Sequence, residues 1–259
     1  MIDPSRTLPQ VDVDVADLIG NHDQSEGARS MLGRGRAYIW FLGGLAAIVA
    51  GFWPSFYGDP ASNDVWHTLH GVAATLWVLL LIAQSILIGR SHRQLHERLG
   101  WLSAGLFAAL IITSSYMVWR ELIGPEPFPA VIRQQLVFLD MAFLLLFIAV
   151  YSLGLVYRRT RKLHARLMGS TILIGMAPAL TRLFGENIPQ LHGLAGALPW
   201  SLWAVDAILL VAILLEWGRR QITWPFPAML AAFVAIELGS SWASGATFAG
   251  IARASGAPI

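Results

Sequence analysis

Cysteine is absent from the chain. That removes disulfides, thiolate metal ligands and cysteine nucleophiles together. Lysine occurs once, as Lys162, in a polar turn. A retinal-type Schiff base needs a lysine inside a span, so it is excluded too. Charge of either sign is scarce, 13% of residues against 56% hydrophobic, which is far from the balance of a soluble domain. No secretory signal is read at the start: the first thirty-four residues are polar, hold Pro4, Pro9 and the alternation VDVDVADL, and precede the first long apolar run.

What remains is long apolar stretches set between short polar pieces, with a mean hydropathy of +0.58. The pattern predicts an all-α, polytopic membrane protein: a bundle of seven transmembrane helices over residues 38–56, 66–89, 101–119, 135–157, 165–183, 199–217 and 225–245. Each run is long enough to cross about 30 Å of hydrocarbon. The period-two alternation of a transmembrane barrel is missing. Three regions follow: a polar cytoplasmic arm over 1–36, with a surface helix conceivable over Asp12–Ile19, the seven-helix domain over 37–246, and a short tail over 247–259.

The arginines set the expected direction. Fourteen of the eighteen basic residues fall in the arm and in the second, fourth and sixth loops; the other side has Arg120, Arg133, Arg182 and Arg253. This predicts a cytoplasmic N-terminus and an extracytoplasmic C-terminus, in a cell membrane of the bacterial inner-membrane kind. The basic excess is thus topological, and nucleic acid is not expected as a partner. Lipid is, with other membrane proteins or further copies of the chain as additional candidates. Ten of the eleven tryptophans fall near expected span ends, and only Trp77 lies well inside one.

Two inner loops share a pattern. GRSHRQLHERLG (89–100) and YRRTRKLHARLMG (157–169) both hold Leu-His-x-Arg-Leu followed by glycine. Repeated helical hairpins would produce this, and so would any pair of arginine-rich turns.

The chemistry-bearing residues form two groups and one outlier. The outer group is His67, His70, Tyr116, Asp140, Arg182, Glu186, His192 and Asp206. His67 and His70, three apart in DVWHTLHG, share a helix face. Asp140 and Asp206 cannot face lipid cheaply and need partners or water. An Asp–Arg bridge to Arg182, a hydrated pocket for a solute or ion, and a zinc or iron site built on His67, His70 and either His192 or Asp140 all fit this set. The inner group is His92, His96 and His164, near arginines. Hydrogen bonds to loops and lipid headgroups are one reading. A b-type haem held by His96 and His164 is another, with His70 and His192 as an outer counterpart. The outlier is Glu237, mid-span, read either as a protonated structural group or as a proton relay. No catalytic residue stands out. Three functions stay open: handling or sensing of a small solute, ion or proton; a metal- or haem-binding redox or hydrolytic protein; and an assembly subunit of a membrane complex.

Overall fold

The computed structural model describes residues 37–123 and 130–243, and its regular elements are all helical. They are α1 (Ala37–Phe52, continued by a π-helical turn Trp53–Tyr57), α2 (Val65–Gly89), α3 (Arg93–Ile123), α4 (Ala130–Val156), α5 (Arg161–Asn187), α6 (Leu194–Gly218) and α7 (Pro225–Ala243). Helices α1 to α6 are each long and apolar enough to cross a membrane, and α7 is a shorter apolar helix. The protein is therefore all-α and multi-pass. The expected arm over 1–36 and tail over 247–259 lie outside the described residues.

The helices overrun the apolar runs that announced them. The run at 101–119 sits inside a helix of 31 residues that begins at Arg93, and the run at 165–183 inside one that begins at Arg161. Hydropathy marks only the hydrocarbon stretch. Arginine, glutamine, leucine and glutamate are good helix formers, so the coil continues into the polar layer. Both Leu-His-x-Arg-Leu motifs consequently lie in the first two helical turns rather than in loops.

Local signals place the turns. Asp64 caps α2 by accepting from the backbone N–H groups of Trp66 and His67, both at 2.9 Å. Ser91 and Arg220 adopt positive φ (61° and 53°) at the tight α2–α3 and α6–α7 turns. Pro225 opens α7, where a missing N–H is harmless.

Helix α5 is the centre of the bundle, touching α1, α2, α4, α6 and α7. Around it the chain runs α1–α2–α3–α4, then α7 and α6. Close approach to α5 depends on small residues. A side chain at Gly51 of α1 would run into the backbone of Ala179, and one at Gly44 would meet Ile172. Polar side chains tie the helices where water is excluded. Trp77 Nε1 donates to Thr171 Oγ1 at 3.0 Å, Thr181 and Ser201 share a 2.6 Å hydrogen bond, and Ser103 pairs with Tyr151 at 3.0 Å. The outside of the bundle is apolar: Trp101 is 83% exposed and Leu238 65%. That is the surface expected against lipid.

Candidate functional site

The ionisable groups occupy three levels. One level is the end of the bundle away from the basic turns. Asp64 Oδ2 holds His67 Nδ1 at 3.0 Å, and Arg120 approaches the same oxygen at 3.6 Å. All three are well exposed. The N–H groups donated by His67 and Trp66 hold the Asp64 carboxyl below the ordinary aspartate value, the backbone N–H of His67 first among them. One turn on, His70 points between helices, with Nδ1 3.2 Å from Thr113 Oγ1. The Thr113 hydroxyl already donates to the Ala109 carbonyl at 2.8 Å. It therefore accepts from His70, which places that proton on Nδ1. Tyr116 stacks on Trp66, ring centroids 4.3 Å apart.

At the same end, Asp140 of α4 accepts a hydrogen bond from Glu121 of α3 and lies in the field of Arg182 from α5. Arg182 also feels Glu186, donates to the Pro178 carbonyl at 3.3 Å, and sits 4.6 Å over the ring of Phe52. Three acids thus surround one guanidinium. His192 is exposed just before the turn into α6.

The second level is the middle of the bundle. Asp206 lies twelve residues into α6 and Glu237 twelve into α7, about 18 Å along each helix. The two helices run in opposite directions, so the groups meet, and their carboxyls are hydrogen-bonded. Asp206 Oδ1 is buried. Towards the end away from the basic turns, Ser240 donates to the Glu237 carbonyl at 2.8 Å and accepts from Gln135 of α4 at 3.5 Å.

The third level is the basic end. The imidazoles of His96 and His164, each the fourth residue of its helix, lie with centroids 6.3 Å apart and planes at 89°. His164 Nδ1 donates to the Gly154 carbonyl at 2.8 Å. Arg166 is paired with Glu216, whose other oxygen accepts from Thr223 N–H at 3.0 Å and Thr223 Oγ1 at 3.2 Å. His92 is exposed in the α2–α3 turn.

Compared with known proteins, the chain matches no family model, no curated protein and no solved structure. The site has to be read from its own geometry.

The arrangement joins some of the candidates and separates others into private pairs. Asp140, Arg182 and Glu186 share one cluster, Asp206 goes to Glu237, and His96 goes to His164. Among the described residues, no group of three or more His, Asp or Glu gathers closely enough to hold a metal ion. Glu121 was not among the sequence candidates. It lies in an amphipathic helix end, WRELI, where a solvated charge is the default reading. Asp64 had a signal, the Asp-x-x-His of a capped helix start, and Thr113 had none.

Proposed function

We propose that this is a seven-helix protein of a bacterial inner membrane, N-terminus cytoplasmic, that handles protons through paired carboxyl groups. The observation that carries this reading is the hydrogen bond between Asp206 and Glu237 at mid-bundle. Two carboxyl groups can share a hydrogen bond only when one of them holds a proton, so the pair exists as an anion with one proton or as a neutral species with two. The two states interconvert by uptake of one proton. A charged side chain at the centre of a bilayer costs about 2.5–3.5 kcal/mol on insertion scales. A merely structural cross-link would use a neutral amide or hydroxyl pair, as Thr181 and Ser201 do nearby. Support comes from the second carboxyl pair, Glu121 with Asp140, beside Arg182 and Glu186 at the bundle end. Three acids against one arginine leave a negative excess that protons relieve. The concentration of basic residues in the arm and three turns supports an extracytoplasmic position for that cluster.

The test is proton uptake into proteoliposomes loaded with a pH-sensitive dye and driven by a potassium diffusion potential. Wild type should acidify the lumen faster than empty vesicles. Asp206→Asn keeps a hydrogen bond to Glu237 but removes the titratable group, and should fall to the empty-vesicle rate, as should Glu237→Gln. If wild type is no faster than empty vesicles, or if both variants keep the wild-type rate, the proton reading is wrong.

A further inference from the structure

The facing histidines at the basic end point to a site that the carboxyl pairs do not need. We propose that His96 and His164 are the two axial ligands of a single b-type haem, held between the first turns of α3 and α5.

The spacing is the first argument. A metal–imidazole nitrogen bond is about 2.0 Å, and the ring centre lies roughly 1.1 Å further on, so two imidazoles on opposite sides of one ion have centroids about 6.3 Å apart. A tetrahedral angle at the ion would bring them to about 5 Å. The observed separation is 6.3 Å, the value for trans ligation. Trans imidazoles on one metal, offered by two helices of a membrane protein, are the ligand set of a six-coordinate haem iron.

The second argument is the tautomer of His164. The Gly154 carbonyl can only accept, so Nδ1 carries the proton and Nε2 keeps its lone pair. A metal-binding histidine is held this way, its second nitrogen anchored to a carbonyl. On the other side, Gln84 Nε2 donates to the His96 carbonyl at 3.1 Å. His96 Nδ1 and Gln84 Oε1 are buried there without partners. Two unmet polar atoms at a buried histidine are costly unless something else occupies the site.

The third argument is room and charge. Gly100, one turn along α3 from His96, has nothing within 4 Å of where a side chain would begin. A flat macrocycle needs such an open face. Arg158 and Arg159 stand in the turn that leads into α5 and supply the charge that two propionates require.

The experiment uses the full chain, expressed with added δ-aminolaevulinate, purified in mild detergent and then titrated with hemin. About one haem per chain is expected, with the low-spin spectrum of bis-imidazole ligation. His96→Gly and His164→Gly should lose that spectrum, and added imidazole should restore it, which a misfolded variant could not do. His96→Met should keep the haem with a changed spectrum. His70→Ala and His192→Ala should leave haem content unchanged. Failure of wild type to bind hemin overturns the proposal. So does a spectrum unaffected by both glycine variants, or binding of zinc or copper alone at these histidines. None of these outcomes bears on the carboxyl pairs, whose test reads proton flux.

Discussion

Trp77 of α2 donates its indole N–H to Thr171 of α5 at 3.0 Å, inside a fully buried cluster. The ring of Trp77 also meets Phe147 and Tyr151 of α4 edge-on, centroids 5.1 and 5.6 Å away. One side chain thus links three helices, and it is the only tryptophan placed well inside an apolar run.

That link can be measured. Hydrogen bonds between membrane helices average about 0.6 kcal/mol in double-mutant cycles. A Trp77→Phe and Thr171→Val cycle, read by unfolding in detergent, should give a coupling energy of about 0.6–1.5 kcal/mol. Strict additivity would show that the bond contributes nothing.

Gly51 and Gly43 make a matched pair on α1. A methyl group at Gly51 would collide with the Ala179 backbone, whereas Gly43 has open space. Gly51→Ala should lower the thermal midpoint in detergent, because α1 has to back away from α5 along its length. Gly43→Ala should leave it unchanged or raise it, since alanine is the better helix former. Equal midpoints for the two variants would contradict the close α1–α5 crossing.

The Arg166–Glu216 pair fastens α5 to α6 at the basic end and is largely shielded from water. Removing one partner strands the other charge, at a cost of about 3–5 kcal/mol. Glu216→Ala should therefore be severely destabilised. Replacing both, as Arg166→Met with Glu216→Leu, should recover most of the loss. Equal stabilities of the single and double variants would show that the pair is not shielded.

Asp64 gives the pH prediction. Its carboxyl is held below its ordinary value of 3.8 by the N–H groups it accepts, so folding favours the ionised form. A depressed folded-state value means that the stabilisation is present above the unfolded value and is lost as pH falls through the lower, folded one. The midpoint difference between wild type and Asp64→Ala should be constant at neutral pH and shrink on acidification below about 4. A difference that grows in acid would reverse the sign and exclude the cap.

Much of the architecture was legible in advance. The first six apolar runs lie inside the observed helical segments to within a residue, because the bilayer imposes a minimum length that sequence reports directly. The helix ends were not legible, since hydropathy is silent where helix formers continue into the polar layer, as at Arg93 and Arg161. Candidate residues emerged for a similar reason: an acid such as Asp206 or Glu237 is conspicuous in a hydrocarbon run. Their pairing was hidden. The sequence suggested Asp140 and Asp206 as members of one outer group, and the helix rotations send Asp140 to Glu121 and Arg182 but Asp206 to Glu237.

Sequence alone determined that this chain is a multi-pass helical membrane protein, because composition and run length act through solvation and need no knowledge of neighbours. Only the tertiary structure decided which polar groups meet. A helix position fixes depth to about 1.5 Å per residue, but the direction a side chain takes around its axis depends on how neighbouring helices pack. That rotation put His96 opposite His164 and joined Asp206 to Glu237.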